Sequence, residues 1–396
     1  IYMLNKETLK LIEYFINDYN YNLEIKNNYN NLLQQLYHKL NTLDNINIQS
    51  KLSIEKFKNF DLLESSFIPK HIKNEIKKTN KIYTYKYNIN NSKSIIYIKF
   101  YVSEYSKITI KQQKKMLKKI ILLINFLFLY KSINIDSLTI HIHMSEHKKF
   151  LPNNNTNILS QNNVNTAVTY SCSSKGECIL YRKEEWFKVL THELMHSLCL
   201  DFSNSNYKLL KQKIYNLFPV NSTFYISETY AEFWAIILNS IFISYEATDN
   251  YCLFYKTFNF IIYFEILFAM FQLVKILDYM NIYDYTNLYE NNSKAESLRA
   301  YYKEKSNVFS YYILKFILLY NIDDTFTWIF RNNNIIQFQK NEKNFNDLYN
   351  LINHLKSKTK MIQDINKMKK YYLNLKKKYR NDKFIINTMR MSLFEL

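Results

Sequence analysis

The spacing of apolar residues changes twice along this chain. Over residues 1 to about 80 it is helical: "TLKLIEYFI" and "NNLLQQLYHKL" repeat apolar positions every three or four residues. The period then drops to two. "KIYTYKY" and "SIIYIKFYV" alternate on either side of "NINNSK", which predicts a hairpin. "KQQKKMLKKIILLINFLFLYK" predicts a helix and "SLTIHIHM" a strand. "NVNTAVTY" and "ECILYR" predict two short strands around Gly176. A helix is expected directly after Arg182, and from about residue 205 nearly everything reads helical again. The expected fold is α+β and predominantly helical, with a small mixed sheet leading into a helix. There is no internal repeat and no Gly/Ser linker. Soft boundaries separate an N-terminal helical region (1–85), a central domain (86–250) and a C-terminal helical domain (251–396).

Composition adjusts this picture in three places. The 396 residues are ample for a large core, and 47% hydrophobic content is that of a globular chain. Only one glycine and three prolines occur, while 36 residues are Tyr and Lys far outnumbers Arg. Residues with A/T-rich codons are over-used, as in a very AT-rich genome. That bears on the net charge of +19, which by itself suggests nucleic acid or an anionic surface as a partner. A phosphate-binding surface would favour Arg forks, so the Lys excess reads mainly as codon drift on solvated faces. Nucleic acid stays open as a partner. Residues 356–383 carry eleven Lys/Arg against two Asp, with Ile362, Ile365, Met368, Tyr372 and Leu375 at helical spacing. A solvated basic helix face is expected there.

The four cysteines, Cys172, Cys178, Cys199 and Cys252, form no dense framework. They suggest free thiols in a reducing, intracellular compartment, with a Cys172–Cys178 pair as the weaker reading. The opening "IYMLNKETLKLIEYF" reads as a mixed amphipathic helix and not as a leader. "FNFIIYFEILFAMFQLVKIL" is the best membrane candidate. Glu265, Gln272 and Lys275 interrupt it, so a buried helix is expected and no membrane span.

Candidate chemistry centres on "THELMHSLCLDF", Thr191 to Phe202. Histidines four apart on a helix project from one face, one turn apart, as two ligands of one tetrahedral ion must. With His192 at zero on a wheel, His196 falls near 40° and Glu193 near 100°. Phe187, Leu190, Leu194 and Leu198 fall at roughly 160–240°, a greasy back that anchors the helix. Glu193, at the side, reaches a water but not the ion. Such a motif arises by chance in about one percent of chains of this composition, so a third ligand is needed. The pattern HExxHxxGxxH would place glycine at Cys199 and histidine at Phe202, and neither fits. Asp201 falls on the far side of the wheel and reads as a cap or ion-pair partner. His141 and His143 read as structural. "SETYAEFWA" fits best: Ser227 suits an N-cap, and Glu228 and Glu232 share one face of an otherwise apolar helix. Two buried acids need partners, which a zinc ion and a zinc-bound histidine supply. Glu228 becomes the third ligand beside His192 and His196, and Glu232 accepts the other ring N–H of one histidine.

"HELMH" followed, after 31 residues, by "ETYAE" resembles the gluzincin, thermolysin-like zinc metallopeptidases. The likeness covers about residues 95–320 and is specific only at 192–196 and 228–232. It implies a zincin-like sheet with an active-site helix, Zn²⁺ as cofactor and a peptide or protein as substrate. Glu193 would be the general base, and a Tyr or His of the helical domain would stabilise the oxyanion. Tyr301, Tyr302 and Tyr311 in "SLRAYYKEKSNVFSYY" are the candidates. The family often has Asp where Glu232 stands. The text around the motif is also loosely similar to HExxH proteins of large DNA viruses with AT-rich genomes. The competing expectation is a basic nucleic-acid-binding or structural virion protein with a non-catalytic zinc.

Overall fold

The computed structural model describes residues 6–17, 19, 29–44, 50–89, 92–379 and 382–395. The fold is α+β and predominantly helical, with one six-stranded sheet. Its strands are β1 (Ser50–Glu55), β2 (Lys81–Asn88), β3 (Ile95–Val102), β4 (Ser137–Ser145), β5 (Ala167–Thr169) and β6 (Lys175–Arg182). They lie in the order β1-β2-β3-β4-β6-β5. The β1–β2, β2–β3 and β5–β6 pairs are antiparallel, and β3–β4 and β4–β6 are parallel. The hairpin expected around "NINNSK" is β2–β3. The helical reading of residues 1–80 is corrected at Ser50–Glu55. That segment is almost wholly exposed along an edge and owes its conformation to pairing with β2, not to an apolar stripe.

The two sheet faces differ. Ile98, Ile140 and Cys178 sit side by side in register on one face, which packs on the helices of the main core. Tyr101, Ile179 and Tyr181 face the other way, into a smaller cluster with Leu62, Ile72 and Ile76. His141 and His143 are on that second face. His141 takes Tyr101 Oη at 2.7 Å and Glu177 at 2.9 Å, and stacks on Phe60. His143 is fully buried beside Glu75. The alternation that put them on one face also removes them from the cleft.

The motif helix, Trp186–Ser197, follows β6 and packs on the first face. Gly176, the chain's one glycine, lies beneath it. A Cβ there would come within 2.8 Å of Ser197 Oγ and 3.0 Å of Leu138 Cδ1, so the helix and sheet approach this closely only over a bare backbone. The second helix of the site, Ile226–Glu246, crosses the first and is buried over most of its length. Ser227 is not its N-cap: the helix begins at Ile226. The residue before it is held from outside, Tyr225 N–H donating to Asn307 Oδ1 and Tyr225 O accepting from Ser310 Oγ.

The long apolar helix, Tyr251–Tyr279, has the length and composition to cross a membrane, and 89% of its most apolar window is buried within the protein. The polar residues that interrupt it all receive one segment, residues 385–394. Glu265 accepts from the amides of Leu393 and Phe394. Gln272 donates to the carbonyls of Thr388 and Arg390, and Lys275 to those of Ile385 and Thr388. The basic helix, Thr359–Lys378, buries Met361, Ile365, Met368, Tyr372 and Leu375. Its lysines turn outward, some onto acids such as Asp278 and Asp284.

Candidate metal centre

His192 and His196 come from successive turns of the motif helix, and Glu228 from the first turn of Ile226–Glu246. Phe187, Leu190, Leu194 and Leu198 are buried behind the histidines, so the greasy back does anchor the helix. Three ligand-type atoms converge. His192 Nε2 is 3.1 Å from His196 Nε2 and 3.1 Å from Glu228 Oε2, and His196 Nε2 is 3.3 Å from Glu228 Oε2. Donors held about 2.0–2.1 Å from one ion at tetrahedral angles lie roughly 3.3–3.4 Å apart. The triangle therefore fits zinc without moving a side chain by more than a few tenths of an ångström. Among the described residues, no other trio of His, Cys, Asp or Glu atoms converges in this way.

The far sides of both rings are also occupied. His196 Nδ1 is 2.8 Å from Asp201 Oδ2, and His192 Nδ1 is 3.0 Å from Glu232 Oε2. An ionised carboxylate only accepts, so the hydrogen bond from His196 puts a proton on its Nδ1, and the charge of Glu232 favours the same tautomer at His192; each Nε2 is then able to turn a lone pair toward a cation. Two ring nitrogens and a carboxylate oxygen at this spacing are held together by positive charge among them, a proton on Nε2 or a metal ion. The electrostatics agree. Burial alone would lower His192, but Glu228 and Glu232 overcome it and push it up to about 8. Burial opposes His196 too, and Asp201 and Glu228 raise it well above its usual value. The site is one that attracts positive charge.

Asp201 is the residue that wheel reasoning misplaced. An ideal helix carries it to the far side, but this helix ends at Ser197. The backbone turns left-handed at Cys199 (φ 59°) and brings Asp201 back under His196. Lys188 was missed altogether. It stands one turn before His192, and its Nζ is 2.5 Å from Glu232 Oε1 with both groups almost fully buried. The stripe Lys188, His192, His196, repeating every four residues, was the available signal.

Glu193 lies beside this trio and not in it. It lines a cleft with His192, Thr166, Ala167, Val189, Tyr311 and Met391, and burial raises its carboxyl above the ordinary value. Of the three tyrosines, only Tyr311 reaches the site. Its hydroxyl donates to Glu228 Oε2 at 2.9 Å. It belongs to a π-helical turn, Phe309–Leu314, a distortion common at functional sites because the extra residue re-aims the side chains. Tyr301 is 69% exposed, and Tyr302 is buried with its hydroxyl toward Glu304, so both are corrected. The free-thiol reading of Cys172 is corrected as well: it forms a disulfide with Cys199, 27 residues on, while Cys178 and Cys252 remain thiols. Cys178 faces the core from β6, and the partner of Cys172 is set by where the motif helix ends. β5 is the edge strand next to the cleft, and β6 is interior.

Comparison with protein-family models, curated proteins and solved structures finds no match to this chain.

Proposed function

We propose that this chain is a zinc-dependent peptidase. The observation that carries the reading is the convergence of His192, His196 and Glu228, with both histidines backed by carboxylates, beside a carboxylate that does not join them. A purely structural zinc is usually closed by four protein ligands, and here three converge, with His192 and Glu193 lining a small pocket beside them. Zinc held there would supply a Lewis acid and a water acidified toward neutral pH. Glu193 takes the proton of the attacking water and hands it to the departing amine. The outer edge of β5, unpaired among the described strands, takes the substrate as an added extended strand. Tyr311, whose hydroxyl donates to Glu228 Oε2, is the phenol we assign to turn toward the carbonyl oxygen as it gains charge.

Glu193→Gln is the test. The variant should fold and bind zinc like the wild type, and its cleavage of an unstructured peptide pool should fall by about 10²–10⁴-fold. Undiminished cleavage would end the mechanism. Zinc-loaded wild type that cuts nothing, yet binds nucleic acid with a steep salt dependence, would favour a basic binding protein instead.

A further inference from the structure

The end of the motif helix is fastened by a crosslink that contributes no ligand. Cys172, in the turn before β6, is joined to Cys199, two residues past the helix. Both residues are left-handed, with φ of 53° and 59°, a region that residues with side chains seldom occupy. Their amides both donate to one atom, the carbonyl oxygen of His196, at 3.0 Å each. The crosslink thus holds the turn, the helix end and the backbone of His196 as one unit. The bend at Cys199 is also what returns Asp201 to His196 Nδ1.

The two sulfurs have unlike surroundings. Cys199 is 4% exposed, and its Sγ is 3.0 Å from Lys340 Nζ. Cys172 is only partly buried. An ammonium beside a sulfur stabilises its thiolate and makes it the better leaving group, while an outside nucleophile reaches the more accessible sulfur first.

We propose that Cys172–Cys199 is a thiol–disulfide exchange site, opened at Cys172 by a dithiol reductant, and that opening it loosens the helix end carrying His196. Only its effect on zinc rests on the function proposed above. A thiolate of the reductant attacks Cys172 Sγ and forms a mixed disulfide. The Cys172–Cys199 bond breaks, and its electron pair leaves on Cys199 Sγ, beside Lys340. The reductant's second thiolate then attacks the reductant's own sulfur in the mixed disulfide. Cys172 leaves as a thiolate, and the reductant departs as its internal disulfide. Two electrons pass to the cysteine pair, and the reductant's two thiol protons pass to the protein or solvent. Both cysteines are then free to leave the left-handed region. The clamp on the His196 carbonyl and the return of Asp201 relax with them.

The test uses the full zinc-loaded chain, treated anaerobically with dithiothreitol and then desalted, because a dithiol itself binds zinc. Thiols alkylated after a denaturing quench should rise from the two of Cys178 and Cys252 to four under native conditions. Lys340→Met should slow the opening by about tenfold, and Lys340→Arg should restore it. Amide exchange over residues 194–202 should accelerate in the reduced chain. Zinc affinity should fall by about tenfold or more and return on reoxidation. The Cys172→Ala/Cys199→Ala double variant should match the reduced chain and ignore the dithiol. A disulfide that opens only in denaturant, or a reduced chain with unchanged amide exchange and zinc affinity, overturns the proposal. A chain that binds no zinc in either state refutes the metal centre instead; the thiol count, the Lys340 dependence and amide exchange still decide the exchange site.

Discussion

Asp201→Asn separates the charge of the group behind His196 from its shape. Asp201 is fully buried. Its Oδ2 accepts from His196 Nδ1 at 2.8 Å and from the Ser203 amide at 3.2 Å, and its Oδ1 accepts from Ser203 Oγ at 3.0 Å. Asparagine has the same volume. It can keep its carbonyl toward the ring and give its NH₂ to Ser203 Oγ, which is able to accept. The ring stays in place, and a charge-assisted hydrogen bond becomes a neutral one. That difference is about 1–2 kcal/mol, or roughly 5–30-fold in zinc affinity, inside the 10–100-fold span usual for groups behind a metal-bound histidine only at its upper part. Asp201→Ala removes the acceptor as well and strands a buried N–H, which adds about 1–3 kcal/mol. The order of zinc affinity should be wild type, then Asn, then Ala. The assay is competition with a chromophoric chelator at fixed pH, with thermal unfolding as the control for folding. Glu232→Gln should also weaken zinc binding, since Glu232 backs the other ring at 3.0 Å, but it leaves the buried Lys188 ammonium without its partner and should lower Tm more than Asp201→Asn does. Asn and Ala variants that fold and bind zinc within about twofold of wild type would show that Asp201 does not support a ligand, and the reading of the site would fall with it.

Two further outcomes probe the scaffold. Gly176→Ala should destabilise the protein by about 1–3 kcal/mol, read as a lower Tm, because the new methyl meets Ser197 and Leu138; an unchanged Tm would show that the helix–sheet approach is slack. Glu304 is held by the amides of Val308 and Phe309 at the start of the turn that carries Tyr311, and burial pushes its carboxyl from 4.5 up to about 7. The folded chain then binds this proton more tightly than the unfolded one, so stability should fall as pH rises from 4.5 to 7 and stay lower above that. Measured as wild type minus Glu304→Gln, the loss has an upper bound of about 3 kcal/mol, and a difference that is flat with pH would refute the assignment.

The elements that were legible in the sequence are those whose signal is local. Period-two alternation located the β2–β3 hairpin and β4, and the greasy stripe of the motif helix is buried as the wheel required. Placing His192, His196 and Glu193 on their faces needs only 100° per residue, which neighbours cannot change. The same local logic failed at β1, whose exposed residues carry no apolar signal, and at Asp201, because it ran the helix past the point where the chain turns. Glu265, Gln272 and Lys275 could be seen to spoil a membrane span, but what they bind is a segment more than a hundred residues away.

The sequence by itself determined that two histidines and a glutamate would share one helix, and that two acids would share another, since both facts follow from helical periodicity. Only the tertiary structure decided that the helices cross where Glu228 meets both Nε2 atoms. It also decided which tyrosine of three stands at the site and which cysteine Cys172 joins. Those pairings depend on where each helix stops and how closely it packs on its neighbour. That is set by the summed burial of the whole core and by single contacts such as the bare backbone at Gly176, and no window of neighbouring residues contains it.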